Sequence, residues 1–226
     1  MQALEMFRNN KPVIAIDGTA GSGKGTLAKK VAKVFNFDHL DSGLLYRILA
    51  YEFLKLNKNI KMLREIDINL NIFLDKKKIK EMDLRSTKIT KISSEIAKLK
   101  FVRQKLISLQ RKFANHPPNG IGSVIDGRDI TSVITPNAEI KFYIDADVKI
   151  RAERRLLQLN LPKDDYNIIL KELIQRDLQD ERRKISPLIQ TEDSYFIDTG
   201  KISASEVLAL AIDYIKKKQI LFSDCI

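Results

Sequence analysis

Residues 13–26 read VIAIDGTAGSGKGT: an apolar run ending in Asp17, then four glycines (Gly18, Gly21, Gly23 and Gly25) interleaved with small residues, and Lys24. The apolar run predicts a buried strand. Leu27 and Val31, with Val34 or Phe35, predict a helix over 24–35 with one apolar side. Between them the segment from Gly18 to Lys24 matches G-x-x-x-x-G-K, with Gly25 interposed before Thr26 where the general pattern has Ser or Thr directly. Glycines let backbone N–H groups close around a phosphate without Cβ clashes, and the helix that follows adds its positive N-terminal end. Lys24 can then reach the β- and γ-phosphates of a nucleotide, and Thr26, directly or through a water, helps to place Mg2+.

Further apolar runs ending in a polar residue recur at 39–41, 124–126, 140–145 and 195–198. Separated by helical stretches, they predict βαβ units and an α/β fold built on a parallel sheet covered by helices. Ser203 and Glu206 form an S-x-x-E capping box, and Val207, Leu208, Leu210, Ala211, Tyr214 and Ile215 supply the apolar face of a last helix. Over 57–91 the pattern changes. Ile68, Leu70, Ile72 and Leu74 alternate with other residues ahead of a turn at 75–78, which predicts a small β-hairpin insert. Helical spacing returns at Ile89, Ile92, Ile96 and Leu99, then at Val102, Leu106, Leu109 and Phe113, and stops at the loop 115–122. With 226 residues, 44% of them hydrophobic, the chain is expected to form one domain over 1–226.

The formal charge of +11 is spread mainly over 27 lysines, which usually solvate a face or a tail. Of the 13 arginines, nine fall in short segments that also carry Asp, Ser or Gly. Arginine grips phosphate or carboxylate bidentately, so this distribution points to a small polyanion rather than to nucleic acid. A basic nucleic-acid-binding ATPase would also need interleaved aromatics, and they are missing. A guanine-reading N-K-x-D is absent, because Asn57-Lys-Asn-Ile60 lacks the Asp. The lone cysteine, Cys225, excludes an internal disulfide, and the two histidines, His39 and His116, have no ligand spacing, so no protein-built metal site is expected. Residues 1–17 carry Glu5 and other polar residues where a signal peptide needs an unbroken apolar stretch, and no later run is long enough to span a membrane. A cytoplasmic location is expected.

Transfer of a phosphoryl group requires a second anion held in line with the first, and three clusters supply arginines for it: LDSGLLYR ending at Arg47, DGRD containing Arg128, and RDLQDERR from Arg176 to Arg183. On a helix Arg176, Asp180 and Arg183 share one face, as a closing lid requires. Arg151, Arg154 and Arg155 lie within one turn and either meet the donor phosphates on closure or face solvent. Asp126 ends a strand whose terminal carboxylate would face the metal.

The segments IDGTAGSGKGT, LDSGLLYR, IDGRDI and RDLQDERRKISPL, in this order and spacing, resemble bacterial cytidylate kinases over residues 13–217. The resemblance implies the fold of P-loop nucleoside monophosphate kinases: a five-stranded parallel sheet flanked by helices, with 57–91 as the monophosphate-binding insert and 151–185 as a helical lid. It implies that Gly18, Thr19, Ala20, Gly21, Ser22, Gly23, Lys24, Gly25 and Thr26 hold ATP. Arg47, Arg128 and Arg183 would hold the acceptor phosphate, Arg176 and Asp180 the ribose hydroxyls, and Ser94, Arg103 and Asp129 the cytosine. Asp129 can accept from the exocyclic amine, and Arg103 can donate to the ring oxygen and nitrogen. Ser42 would steady the acceptor, and Asp41 would influence the metal or the attacking oxygen, so that Lys24, Arg128, Arg183 and Asp41 form the catalytic set. The expected reaction is ATP + CMP to ADP + CDP, with Mg2+, with dCMP as a further acceptor, and in a monomer. UMP, AMP or a small alcohol are the alternative acceptors. Three departures from the family's pattern stand out: a short insert, Thr19 where proline is usual, and Gln179 where arginine is frequent.

Overall fold

Every residue of β1 (Val13–Gly18) is buried, as a strand inside a parallel sheet requires. The computed structural model describes residues 11–57, 59–66, 79, 82, 84 and 86–218. It places β1 in the middle of a five-stranded sheet of order β2-β3-β1-β4-β5, with β2 at Asp38–Asp41, β3 at Ser123–Gly127, β4 at Ile140–Asp145 and β5 at Tyr195–Asp198. β1 runs parallel to β3, with Asp17 opposite Gly127, and parallel to β4, with Gly18 opposite Ile144; β4 and β5 are parallel too. Among the described residues the α-helices are α1 (Lys24–Phe35), α2 (Ser42–Lys55), α3 (Ile60–Glu65), α4 (Thr87–Ile96), α5 (Lys100–Asn115), α6 (Val148–Leu159), α7 (Tyr166–Arg182) and α8 (Ala204–Lys217). The five strands and the α/β class agree with the sequence expectation.

The described chain forms two compact units, one reaching up to His39 and resuming at Ala114, the other spanning Leu40–Phe113. In the first, Ile14 and Ile16 of β1 and Ile140, Phe142 and Ile144 of β4 turn one face toward Leu27, Ala28, Val31 and Ala32 of α1 and Val207, Ala211 and Ile215 of α8. Alternate residues of a strand share a face, so this core uses the period of two on the sheet and of 3.6 on the helices. Phe35, not Val34, completes the apolar side of α1; Val34 is 51% exposed. The capping box forms, with the Ser203 N–H donating to Glu206 Oε2 at 2.7 Å and the Glu206 N–H to Ser203 Oγ at 3.3 Å. Leu210, expected on the apolar face of α8, faces water instead. It sits three residues past Val207, where the stripe of buried residues runs through Ala211. A second cluster joins Ala20 of the glycine loop to Ala152 and Leu156 of α6 and Ile169 and Leu173 of α7.

In the second unit the starts of α2, α3 and α4 are capped by side chains: Asp41 accepts from Leu44 N–H, Asn59 from Lys61 and Met62 N–H, and Ser86 from Ile89 N–H. The alternation at 68–74 that predicts a hairpin lies outside the described residues. The two ends of the 57–91 range are helical, in α3 and α4. The helical spacing after it divides at 97–99 into α4 and α5, with Ile89, Ile92, Ile96, Val102, Leu106 and Phe113 buried. Among the described residues no helix is long and apolar enough to cross a membrane.

The order of strands fixes where a ligand can bind. From β1 the chain moves outward to β2, and from β3 it moves the other way to β4, although β1 and β3 are neighbours. In such a sheet the loops after these two strands part, leaving a crevice at their carboxyl ends. Those loops are the glycine loop after β1 and Arg128-Asp129 after β3.

Candidate active site

The glycine loop needs its glycines. A Cβ on Gly18 would lie 2.0 Å from the Ile144 carbonyl oxygen on the adjoining strand, and Gly21 and Gly23 hold φ of 78° and 93°. Gly23 also starts α1, accepting from the Thr26 and Leu27 N–H groups at 3.0 Å. The ammonium of Lys24 folds back across the loop to the Thr19 carbonyl at 3.0 Å, and Ser22 Oγ donates to the same oxygen at 3.0 Å. Thr19, which stands where the resemblance leads one to expect proline, donates its hydroxyl to Asp145 Oδ1 at 2.5 Å. A hydrogen bond to β4 thus holds the turn.

Ala20 is gripped from the helices of 151–185. Its N–H reaches Asp177 Oδ1 at 3.3 Å, and its carbonyl accepts from Arg151 Nη1 at 3.0 Å, while the same guanidinium nitrogen meets Asp177 Oδ2 at 2.5 Å. Of the two alternatives open from sequence, facing solvent does not hold for Arg151: it is buried and fastens α6 and α7 to the loop. Arg154 is fixed by Thr199, through the hydroxyl at 2.9 Å and the carbonyl at 2.6 Å, and the Thr199 hydroxyl donates to Ser22 O at 2.8 Å. Arg155 turns to Gln158 on its own helix. Beside the loop lies a cavity of about 320 Å3, lined by Ser22, Gly23, Thr26 and Leu27 on one side and Arg154, Thr199, Ile202, Ser203, Ala204 and Val207 on the other.

After β3, Arg128 reaches back to the glycine loop. Its Nη1 donates to the Gly18 carbonyl and its Nε to Asp180 Oδ2, both at 2.8 Å. Asp180 also meets Arg183 Nη1 at 3.4 Å and Arg176 Nε at 4.0 Å, and Arg183 Nη2 lies 4.0 Å from Asp129 Oδ1. Burial works to raise the Asp180 carboxyl, but the guanidiniums of Arg128, Arg176 and Arg183 outweigh it and hold the group below the ordinary carboxylate value. For Arg128, burial opposes the charge and Asp180 more than restores it, so the arginine stays firmly protonated. The expectation that Arg183 continues the face of a helix is corrected: α7 ends at Arg182, and Arg183 is its C-cap with an extended ψ of 139°. The extended backbone still turns the guanidinium onto Asp180, and its Nε donates to the Ser186 carbonyl.

Asp126, at the end of β3, accepts at Oδ1 from His39 Nε2 at 2.6 Å, while its Oδ2 lies 3.4 Å from where a Cβ of Gly25 would stand. With Thr26 on the first turn of α1, this puts oxygen donors beside the glycine loop of the kind that a hard divalent cation takes.

The remaining expected residues belong to the second unit. Asp41 caps α2 and lies 3.8 Å from Arg47, with Ser42 buried between them in sequence as the first residue of the helix. Arg103 is 2% exposed, donates to the Ala97 carbonyl at 3.2 Å and lies 5.9 Å from the Tyr46 ring. Ser94 donates to the Thr90 carbonyl at 3.2 Å, and Ser93 beside it, the more buried, does so at 2.7 Å.

The family model for cytidylate kinase matches residues 14–217 of this chain. The chain belongs to the cytidylate kinase family. Among curated cytidylate kinases, that of Bartonella tribocorum is 42% identical over 214 residues, which cover 90% of this chain and 94% of the relative. That of Bradyrhizobium sp. (strain ORS 278) is 38% identical over 207 residues, covering 90% and 95%. A solved structure of an uncharacterised protein from Eubacterium ventriosum superposes with a TM-score of 0.55 at 18% identity, covering 91% of this chain and 99% of that one, a likeness of fold alone. Membership in the cytidylate kinase family makes this an ATP-dependent nucleotide kinase, and the nucleic-acid-binding ATPase is not favoured.

Sequence reasoning missed Asp17, Asp177, Thr199 and the cavity as parts of this cytidylate kinase site. Asp17 and Asp177 lie inside the motif segments IDGTAGSGKGT and RDLQDERR, where no role marks them out, and Thr199 lies in the D-T-G turn that follows the last apolar run.

Proposed function

We propose that this chain transfers the γ-phosphoryl group of ATP to CMP, giving CDP and ADP, and that it takes dCMP as a second acceptor, as a monomer in the cytoplasm. The observation that carries the reading is the bond from Arg128 to the Gly18 carbonyl at 2.8 Å, which joins an arginine cluster directly to a phosphate-binding loop. A phosphoryl group passes between two anions, and a protein that catalyses this supplies positioning and positive charge rather than covalent chemistry.

In this reading Gly18 to Thr26 wrap the donor phosphates, Lys24 exchanges the Thr19 carbonyl for a phosphate oxygen, and the adenine ring enters the cavity beneath Arg154. Arg128 and Arg183 hold the acceptor phosphate together with Arg47, which Asp41 orients, and Ser42 steadies it. Arg176 and Asp180 take the ribose hydroxyls, and Asp129, Arg103 and Ser94 read the cytosine. Mg2+, held by the ATP phosphates and water with Thr26 and Asp126 at hand, would supply charge neutralisation between the β- and γ-phosphates. The acceptor phosphate is already ionised near neutral pH, so no histidine or cysteine base is required. The region 151–185 acts as the lid that excludes water, and 57–91 as the insert on the monophosphate side.

Release of ADP measured with CMP, dCMP, UMP and AMP in turn tests the reading. Turnover is expected to rank CMP and dCMP well above the others, because a carboxylate facing the base favours the amine of cytosine over the carbonyl of uracil. Preference for UMP or AMP overturns the acceptor assignment.

A further inference from the structure

Asp17 is the penultimate residue of β1, one before the glycine loop begins, and it is fully buried. A buried carboxylate is costly unless its lone pairs are met. Three donors meet this one: the Ile130 N–H on Oδ1 at 3.0 Å, and the Thr131 N–H and hydroxyl on Oδ2, each at 2.7 Å. They come from the two residues immediately after Arg128 and Asp129. There the chain makes one π-helical turn, Ile130–Ile134, in which the Asp129 carbonyl accepts from the Val133 and Ile134 N–H groups at 2.9 and 3.0 Å. The first N–H groups of a helical turn have no partner within it. Asp17, more than a hundred residues earlier in the chain, supplies that partner. The next residue of the same strand, Gly18, holds the Arg128 side chain through its carbonyl. The end of β1 therefore grips the segment on both sides of Asp129.

We propose that Asp17 is a positioning residue for phosphoryl transfer. Its carboxylate holds the Ile130 and Thr131 N–H groups, fixes the backbone from which Arg128 and Asp129 reach the acceptor, and ties acceptor recognition to the strand end that carries the phosphate loop. The inference rests on the roles given above to Arg128 and Asp129. An aspartate is required because both oxygens face donors; an amide in its place sets an N–H against an N–H.

The test is steady-state kinetics on wild type, Asp17→Asn, Thr131→Val and Thr131→Ser, varying CMP at saturating ATP and then ATP at saturating CMP. For Asp17→Asn, kcat/KM for CMP is expected to fall roughly 10- to 100-fold, the scale of a misplaced positioning group, with KM for ATP unchanged to within about twofold. Thr131→Val, which removes one hydroxyl bond, is expected to lower kcat/KM for CMP roughly 3- to 10-fold, and Thr131→Ser to restore it. Should Asp17→Asn not fold, the Thr131 pair decides alone. A role in stability only would lower the melting temperature and leave both KM values where they were, and that result overturns the proposal, as does an equal rise in both. Failure of the wild type to phosphorylate CMP would instead sink the reading on which it rests.

Discussion

Replacing Arg128 with alanine removes two bonds of 2.8 Å, to the Asp180 carboxylate and to the Gly18 carbonyl. Both members of the ion pair are largely buried, with side-chain exposures of 14% and 15%. Breaking such a pair from one side costs about 3–5 kcal/mol, because a charge is left in a poorly solvated place. Asp180 keeps Arg183 at 3.4 Å and Arg176 at 4.0 Å, so the lower end, about 3 kcal/mol, is expected. Asp180→Ala leaves three guanidiniums without their shared carboxylate and is expected to cost about 3–5 kcal/mol. A charged hydrogen bond contributes about 1.5–3 kcal/mol, so the double variant should fall short of additivity by about 2 kcal/mol. Urea denaturation of the four proteins at pH 7 gives this coupling directly, and burial should leave it little changed by added salt. A coupling below about 0.5 kcal/mol would refute the pairing and, with it, the claim that Asp180 organises the arginine cluster.

Lys24→Ala is expected to lower turnover on the order of 10²- to 10³-fold in a protein that still melts like the wild type, the scale of losing one donor to a transition state; near-normal rates would remove its assignment. Gly18→Ala drives a Cβ to 2.0 Å from the Ile144 carbonyl at a φ of 155°, and crowding plus backbone strain should cost about 3 kcal/mol or more, seen by calorimetry as a melting temperature lower by roughly 6–12 °C. Burial pushes the Asp17 carboxyl from the ordinary 3.8 up to about 6, so the folded protein holds this proton more tightly than the unfolded chain does. Its contribution is whole below pH 4 and is lost as pH rises to about 6, on the order of 3 kcal/mol at about 1.4 kcal/mol per pH unit; denaturation between pH 4 and 7 should show that slope flattened in Asp17→Asn. Asp180, held low, acts in the opposite sense and outside that window: its stabilisation is present above pH 4 and is lost as pH falls through its depressed value.

Local chemistry made much of this molecule legible in advance. The glycine loop, the helix from Lys24 and the capping box of α8 depend on residues a few positions apart, so their spacing carries the signal. The arginine segments were legible as a cluster of one chemistry. Where contacts join distant residues the sequence is silent. Ala20 and Asp177 are 157 positions apart, and Arg154 and Thr199 are 45 apart, and no periodicity records either bond. Asp17 looked like the polar end of an apolar strand because nothing nearby reveals that its partners lie beyond β3. Arg151, Arg154 and Arg155 lie within one turn and look alike in sequence, and only the neighbour each one meets separates them. Arg183 shows the converse, since its i, i+3 spacing places it near Asp180 although the helix stops one residue short.

In the proposed reaction the phosphate loop and the arginine cluster hold two anions at the separation of one phosphoryl transfer. Binding of an adenosine and a cytidine joined through five phosphates, followed by titration calorimetry against ATP and CMP separately, tests it most directly. The joined molecule is expected to bind at least about 10²-fold more tightly than either ATP or CMP alone, because its second half binds from an effective concentration set by the bridge. Binding no tighter than that of ATP by itself would show that the two anion sites do not face one another.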